Sequence, residues 1–351
     1  MQGFNLIVSL RYLNLIHMVL IHNFLPALVF LFFSMICWGS WSNTQKMTAK
    51  NWRFELFYFD FVWGLLLTAI VASFTLGSFG TDGRSFLEDI AQADTTSIMY
   101  AVAGGIVWNL GALLLVAAMA IAGMAVGFPI GGGLAWVLGI LVNFFISGSQ
   151  GNNTTILFSG VALIVAAIFF CMQAYKKLSA GKKGSTSKGL IISLLAGVTI
   201  AFFYGLVVKS LDPAYVSGGS GNLTPFSGVF FFTIGAVIST PIFNYFVMRH
   251  PVEGDKLTLK DYFKGDTKTH LTGVLGGIIW MTGMVISFMA IPKAGPTISY
   301  ALTNGAPVVA MFWGVFVWKE FKGAPKGTNG LLTAMFTLFI AGLITITLSK
   351  I

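Results

Sequence analysis

The sequence predicts an all-α integral membrane protein with ten transmembrane helices, arranged as two inverted repeats of five helices. Three observations support this prediction: the composition, a succession of apolar runs, and an internal repeat. Of the 351 residues, 56% are hydrophobic and 9% are charged, whereas about 25% are charged in ordinary soluble domains. The mean hydropathy is +0.83. Such a chain is typical of a polytopic helical membrane protein.

The apolar runs are each about 20 residues long, enough to cross roughly 30 Å of hydrocarbon as a helix. The longest run, 98–146, is too long for one crossing and must fold back near Gly123. The predicted spans are 25–43, 54–79, 98–122, 125–146, 155–174, 189–209, 226–249, 271–292, 296–318 and 331–349.

The internal repeat relates the third span to the eighth. Residues 104–111 read Gly-Gly-Ile-Val-Trp-Asn-Leu-Gly, and residues 276–283 read Gly-Gly-Ile-Ile-Trp-Met-Thr-Gly. At the same offset of 172, Gly133 corresponds to Gly305. Each repeat contains five spans, an odd number, so the second repeat must be inverted relative to the first. Inverted repeats are typical of transporters that expose a midplane site alternately to each side.

The basic residues predict the orientation and the division of the chain. The links after spans one, five, seven and nine hold 16 of the 21 lysines and arginines, so these links are expected in the cytoplasm and both termini outside. We expect a first repeat at 25–175, a basic cytoplasmic linker at 176–188 and a second repeat at 189–351. Residues 1–24 form an N-terminal extension, either an interfacial helix or the product of a start assigned upstream of Met18.

Composition and motifs also exclude several classes of function. The net charge of +9 is concentrated in short loops beside helix ends, which indicates topology and not nucleic-acid binding. The four histidines lack metal-ligand spacing, and both cysteines lie inside apolar runs. With no nucleophile motif and no soluble domain, we expect neither an enzyme nor a cofactor other than an ion gradient; a membrane receptor or enzyme is the alternative from another class.

Tryptophans flanked by glycines are the first candidates for substrate binding. Positions 104, 108 and 111 share one helical face, as do 276, 280 and 283, so Trp108 and Trp280 each stand beside a shallow groove. Flat aromatic walls can stack on a sugar ring or a planar heterocycle. The alternative is that the glycines serve helix packing and the tryptophans fill core. Trp38 and Trp41, in span one, are further candidates.

Two carboxylates at the head of span two are the candidates for ion coupling. Asp60 lies about two turns into the span, where a charge costs about 2.5–3.5 kcal/mol, so it should face a cavity, stay protonated or pair with a base. Glu55 lies near the interface, where Lys50 or Arg53 could neutralise it. The coupling ion is a proton or sodium, and the sequence leaves both open.

Polar residues in other spans complete the candidate site. Tyr300 and Asn304 are one turn apart in span nine, close to a helix distortion expected at Pro307. Asn43 and Asn109 contact either substrate or a neighbouring helix. Residues 127–133 read Gly-Phe-Pro-Ile-Gly-Gly-Gly, a segment that we do not expect to form regular helix throughout.

These motifs together resemble the drug/metabolite transporter superfamily, in particular its ureide permease, glucose/ribose-porter and rhamnose-symporter branches. The resemblance rests on the Cys37-Trp38-Gly39-Ser40-Trp41 run, residues 54–60 and residues 103–111, and it covers roughly 25–349. It implies uptake of a small neutral solute, such as a sugar, ureide or nucleobase-like compound, usually by proton symport.

The resemblance departs from the plant ureide permeases in one respect, because their long central cytosolic loop is short here. We therefore expect a sugar first, with a ureide-type solute or an exporter of the same superfamily as alternatives. The expected surroundings are a bacterial inner membrane and its lipid bilayer, with the protein a monomer or homodimer.

Overall fold

A computed structural model describes residues 18–48, 52–80, 83–122, 131–149, 151–178, 187–212, 219–251 and 254–350. The N-terminal extension before Met18, Lys50, and most of the linker at 176–188 lie outside these ranges, so the expectations for them stay predictions.

The described chain folds into long apolar helices that follow the predicted spans, and this confirms the all-α membrane class. Nine of the described helical stretches are long and apolar enough to cross a membrane, and one shorter apolar helix lies among them, which is compatible with ten spans. We label them α1 Phe24–Ser40 (continued by Ser42–Lys46), α2 Phe54–Phe74, α3 Thr95–Ala122, α4 Gly133–Ser147, α5 Thr154–Leu178, α6 Ser187–Ser210, α7 Pro225–Arg249, α8 Thr267–Ala294, α9 Pro296–Thr303 with Ala306–Phe312, and α10 Thr328–Leu348.

Two short helices lie outside the predicted spans, one at each end of the bundle. Phe86–Gln92 precedes α3 and is started by a capping box between Ser85 and Glu88. Leu259–Tyr262 precedes α8 and begins with a second capping box. Reciprocal bonds of this kind satisfy backbone N–H groups that a short helix would otherwise expose. We call the bundle end that carries Lys46, Arg53 and Arg249 the basic face, and the other end the opposite face.

Most of the extensive helix contacts map onto one another when the two halves are exchanged. Helix α1 packs against α8 and α9, and its counterpart α6 packs against α3 and α4. Helix α2 packs against α8, as α7 packs against α3. The pairs α2–α7, α4–α9 and α5–α10 join each helix to its own counterpart. This is the arrangement that two repeats related by a two-fold axis would produce.

Glycine contacts repeat the same symmetry at atomic detail. A Cβ on Gly277 of α8 would overlap the backbone oxygen of Phe61 in α2, and a Cβ on Gly105 of α3 would overlap that of Phe232 in α7. The backbones therefore approach as closely as only glycine permits. The reverse contacts correspond as well: Gly64 meets Val274, and Gly235 meets Val102.

Helices α4 and α9 both depart from regular geometry at equivalent positions. Helix α9 breaks at Asn304–Gly305, and Pro307 lies in the first turn of the piece that follows. A proline is tolerated there because the first-turn N–H has no helical partner. In α4, a wide π-type turn at Gly131–Gly132 precedes the regular helix; residues 123–130 of the expected irregular segment lie outside the described ranges.

A buried ion cluster ties the loops of the two halves together at the opposite face. Arg84 pairs with Asp89 and, at 3.0 Å, with Asp212, and it donates to the Asn222 carbonyl at 2.7 Å. Asp89 also accepts from the backbone N–H of Thr224 at 2.7 Å. The guanidinium thus joins the α2–α3 loop to the α6–α7 loop.

Candidate functional site

A cavity of about 100 Å³ lies between the halves, near the middle of the helices. We call it the central cavity. Its lining combines one aromatic wall with small residues at the broken segments of α4 and α9. The lining residues are Trp38, Trp41, Trp108, Ala112, Leu115, Val116, Gly132, Ala135, Ile200, Phe203, Trp280, Asn304, Ala306 and Pro307.

The aromatic wall is held in place by ring stacking and one hydrogen bond. The rings of Trp38 and Trp280 stack with centroids 5.3 Å apart and planes 10° apart, and Trp108 lies 4.2 Å from Trp280. The Trp38 indole N–H donates to the Trp280 carbonyl at 3.0 Å. Trp41 packs on Phe61 at 4.8 Å. The structure therefore brings the four predicted tryptophans to one cavity, while the glycines beside them serve close helix packing.

Asn304 supplies the amide among the described lining residues. It lies at the break in α9, and its Nδ2 donates to the Tyr300 carbonyl at 3.0 Å. The break brings a polar side chain to an otherwise apolar wall, as in discontinuous transporter helices.

Tyr300 was expected to bind substrate, but the structure buries it between the cavity and the opposite face. Its hydroxyl donates to the Ala135 carbonyl at 2.8 Å, and its ring lies 5.1 Å from that of Tyr204, which in turn contacts Phe288 at 5.1 Å. The Tyr204 hydroxyl bonds to Ser287 at 3.0 Å. We call Tyr204, Phe288 and Tyr300 the tyrosine plug.

Beyond the plug, a wider space of about 450 Å³ opens at the opposite face. We call it the vestibule. Helices α4, α6, α8 and α9 each contribute residues to both the vestibule and the central cavity. Helices α6, α8 and α9 also supply the tyrosine plug between them. The three features therefore lie in sequence along one route from the opposite face to the middle of the protein.

The route is closed at the basic face by contacts between the ends of α1 and α9. The indole N–H of Trp318 donates to Asn43 Oδ1 at 2.6 Å, and that of Trp313 donates to Ser40 at 2.9 Å. Lys46 forms an ion pair with Glu320. The pocket that remains beside these residues has a volume of about 20 Å³. We call these contacts the basic-end latch. Asn43, expected at the substrate, lies in this latch and outside the central cavity lining.

Asn109 joins helices and does not line the central cavity, unlike the expectation. Its Oδ1 accepts from the Tyr58 hydroxyl at 2.9 Å, and its Nδ2 contacts Ser239 at 2.8 Å and Thr240 at 3.1 Å. The side chain is fully buried. Because both ends of the amide have protein partners, Asn109 links α2, α3 and α7, the second of the two roles considered for it.

Asp60 pairs with a base, the third of the environments expected for it. His270 Nδ1 lies 2.9 Å from each of its carboxylate oxygens, and the Tyr262 hydroxyl donates to Oδ1 at 2.5 Å. Asp60 is 2% exposed. A Cβ on Gly273 would overlap the Cβ of Asp60, so α8 leaves room for the carboxylate. Asp60 thus joins α2 to the start of α8 and to the short helix before it.

The Tyr262 hydroxyl beside this carboxylate is held as a donor. Burial, and then the hydrogen bond and charge of Asp60, raise the pKa of Tyr262, so the phenol keeps its proton at neutral pH. The ring of Trp52 meets His270 edge-on at 5.3 Å. Asp266, the N-cap of α8, accepts from Thr269, and this bond lowers the pKa of Asp266.

Glu55 is neutralised by Arg53, one of the two partners expected for it. The Arg53 guanidinium meets both carboxylate oxygens, with Nε donating at 3.2 Å and the second contact shorter. Arg53 also donates to the Asp255 carbonyl at 2.5 Å. The pair connects α2 to the loop before α8, a structural contact.

Sequence reasoning missed His270, Tyr262, Tyr204 and Glu320. The histidine was set aside because it has no metal-ligand spacing. The sequence holds one signal for His270. The glycines at 273, 276 and 277 allow α8 to cross α2 closely, and that crossing would have placed His270 beside Asp60. Glu320 and Trp318 follow span nine, and their meeting with α1 depends on tertiary packing.

Known proteins match this architecture along most of the chain. The sequence model of the ureide permease family matches residues 57–188 and 177–349. Ureide permease 1 of Arabidopsis thaliana is 25% identical over 369 residues, covering 90% of this chain and 94% of that protein. The probable glucose uptake protein GlcU of Priestia megaterium is 24% identical over 245 residues, covering 69% and 76% respectively. A crystal structure that is 16% identical covers 92% of this chain and 98% of its own with a TM-score of 0.61, which supports the fold.

Proposed function

Because this chain belongs to the ureide permease family of membrane transporters, we propose that it imports a small, flat, polar solute by proton symport. The solute class is a ureide or nucleobase-like heterocycle. The observation that carries this proposal is the central cavity, whose lining contains the aromatic wall of Trp38, Trp108 and Trp280 together with the amide of Asn304.

The chemistry of this lining favours a planar heterocycle over a sugar. An aromatic wall binds flat π-systems by stacking, and one amide can orient an N–H or C=O edge. A sugar carries hydroxyls around its whole ring and calls for more polar partners. A sugar stays the second candidate because GlcU, a probable glucose uptake protein, covers part of the same fold.

The sequence of spaces supports alternating access. Solute enters the vestibule, passes the tyrosine plug when α4 and α9 move, and stacks in the central cavity. Opening of the basic-end latch then releases it. Because the two halves exchange their helix contacts, rocking one half against the other would open one end as it closes the other.

The coupling ion in this proposal is a proton, carried by Asp60. Hard cations such as sodium prefer a shell of oxygen ligands, whereas a histidine nitrogen and a phenol hydroxyl flank this carboxylate. A carboxylate beside an imidazole can instead gain or lose a proton as the α2–α8 contact changes. Following the basic links, we place both termini on the non-cytoplasmic side of a cell inner membrane.

Uptake into proteoliposomes tests this function. Labelled hydantoin, uracil and glucose are supplied outside vesicles with and without an inward proton gradient. We expect gradient-dependent uptake of a heterocycle. Stacking contributes about 1–3 kcal/mol, so Trp280→Leu should lower kcat/KM roughly tenfold or more, while Trp63→Leu, on the exposed side of α2, leaves it unchanged.

Three results would contradict parts of this proposal. If glucose is taken up and neither heterocycle is, the solute is a sugar. Efflux of preloaded solute without uptake identifies an exporter. A loss of transport in both tryptophan variants places the effect of Trp280 in folding and not in the cavity.

A further inference from the structure

The connection between α7 and α8 exposes apolar side chains at the basic face. Its described part is residues 254–266, which we call the α7–α8 loop. Leu259 is 56% exposed and Phe263 is 80% exposed. They lie four residues apart, Leu259 opening the short helix and Phe263 ending it with right-handed helical backbone angles, so both side chains share one face of that turn. Moving such a pair from water into an apolar environment is favourable.

The surroundings of the loop place it at the level of lipid headgroups. The Leu257 N–H donates to the Met248 carbonyl at 3.1 Å, so the loop folds back on the end of α7. There Tyr245 is exposed, and the Arg249 guanidinium lies 5.2 Å from its ring centre. Tyrosine and arginine are typical of the ends of membrane helices. On the other side, α8 presents exposed Leu271 within its membrane span. The apolar pair therefore lies where a bilayer surface would meet the protein.

Exposed lysines accompany the apolar pair. They stand at positions 256, 260, 264 and 268, and Lys260 and Lys264 directly follow the two apolar residues. Two acids of this stretch have protein partners, since Asp261 pairs with Lys264 and Asp266 caps α8. Two further acids, at 253 and 255, precede the first lysine. Apolar side chains that insert, beside ammonium groups that reach the phosphates, are typical of interfacial segments.

The loop also reaches the carboxylate proposed to carry the proton. The Phe263 ring meets the Tyr262 ring edge-on at 5.4 Å, and the Tyr262 hydroxyl donates to Asp60 at 2.5 Å. Tyr262 packs against Trp52 and Phe59 as well. One turn of helix therefore carries both the exposed ring and the donor to Asp60, so a shift of the ring would move that donor.

We infer that the α7–α8 loop is a docking surface for anionic phospholipid, with Leu259 and Phe263 in the bilayer interface and the four lysines against the lipid phosphates. The proposed topology places this face in the cytoplasm, where the leaflet carries negative charge. Docking needs only that lipid surface, whereas its consequence, a Tyr262 hydroxyl held against Asp60, rests on the proposed function. Each lysine near an anionic surface adds roughly fivefold to the affinity.

Spin-label depth measurements test the docking without transport. A nitroxide, itself apolar, is attached at Phe263→Cys in protein whose buried Cys37 and Cys171 are replaced by alanine. The protein is reconstituted in phosphatidylcholine alone or with phosphatidylglycerol. With phosphatidylglycerol, we expect the label to be accessible to oxygen, which concentrates in the bilayer, and shielded from a water-soluble nickel complex. The matched control, Asp255→Cys at the other end of the loop, should stay accessible to nickel in both lipids.

Lysine substitutions separate charge from apolar insertion. The loop variant replaces three lysines and keeps the Lys264–Asp261 pair: Lys256→Gln, Lys260→Gln and Lys268→Gln. The matched control replaces three exposed lysines of the link after α9: Lys319→Gln, Lys322→Gln and Lys326→Gln. In phosphatidylglycerol, the loop variant should lower the oxygen-to-nickel accessibility ratio of the label roughly fivefold, and the control should leave it unchanged. Added salt should act like the loop variant.

Uptake by the unlabelled protein tests the consequence for Asp60. We expect phosphatidylglycerol to raise gradient-driven uptake roughly fivefold, and the loop variant to lose that gain at an unchanged thermal midpoint. If the label docks and no solute is transported in either lipid, the proposed function fails and the docking surface stands. If the label docks and uptake is the same in both lipids, the docking surface stands and its link to Tyr262 is wrong.

Three results overturn the docking itself. A label that nickel reaches in phosphatidylglycerol as readily as it reaches the Asp255→Cys label lies in water. A label equally deep in both lipids, and unmoved by the loop variant, makes no use of anionic lipid. A label shielded from both oxygen and nickel lies against protein, in a second copy of this chain.

Discussion

The Asp60→Asn variant tests whether one carboxylate carries the coupling proton. In the described spans, Glu55 and Asp60 are the buried acids, and Arg53 pairs with Glu55, so the proposal assigns the coupling proton to Asp60. One proton per solute sets a limit: at zero membrane potential, a neutral solute accumulates about tenfold per unit of pH gradient, because one unit is worth about 1.4 kcal/mol. Two units allow about 100-fold accumulation.

The asparagine keeps the size of the side chain and one acceptor oxygen but cannot exchange a proton. We therefore expect the accumulation ratio to fall to 1 under the same gradient, while exchange of labelled for unlabelled solute persists at zero gradient. The assay is steady-state uptake in proteoliposomes with buffered interiors. Asp255→Asn, at an exposed loop position, is the control and should accumulate solute like the unsubstituted protein.

His270→Gln distinguishes a proton-transfer pair from a lone carboxylate. Since His270 Nδ1 contacts both oxygens of Asp60, removing the imidazole should change the pH dependence of uptake and not merely its rate. Accumulation that survives in Asp60→Asn, or that follows a sodium gradient in the unsubstituted protein, would refute the assignment of a proton to Asp60.

Three further substitutions test the surrounding scaffold. Glu320→Gln removes the ion pair of the basic-end latch, and partly exposed pairs contribute up to about 1 kcal/mol. Maleimide labelling of Cys171, which lines the same space, should therefore become up to about fivefold faster. An unchanged labelling rate would show that the pair does not close this end. Arg84→Met leaves two buried carboxylates without their cation and should cost about 3–5 kcal/mol, seen as a large drop in the thermal midpoint that high salt does not mimic. Gly277→Ala forces α2 and α8 apart and should destabilise the protein strongly, whereas Gly330→Ala, with open space around it, should have no such effect.

The fold was predictable because its determinants are local and periodic. Apolar length, basic links and the repeated glycine and tryptophan pattern each depend on neighbouring residues, and the helices of the structure follow the spans to within a few residues. The ends were less predictable: α2 stops at Phe74 and not near 79, and α8 begins at Thr267 and not at 271. Capping by Asp266 extends α8 into a polar segment that hydropathy alone leaves out.

The candidate site was predictable only in part, because side-chain direction depends on tertiary packing. Trp108 and Trp280 could be paired from the repeat, and Asp60 could be singled out from its cost in the membrane. By contrast, whether Asn109 turns to the cavity or to α7, and whether Tyr300 faces substrate or Ala135, depends on rotations that no periodicity encodes.

The differences between the two repeats make the two faces of this scaffold unequal. If the repeats were identical, the states open to either face would have equal free energy at equal proton concentrations, and only the gradients would distinguish the two faces. The crossing of α7 with α3 repeats that of α2 with α8, yet the positions equivalent to Asp60 and His270 are Phe231 and Ile98, both apolar. A proton can shift an equilibrium only by its different affinity for the two states. In the proposed cycle, protonation of Asp60 would change the contacts of one crossing, near the basic face, while the equivalent crossing carries Phe231 and Ile98 and would not respond.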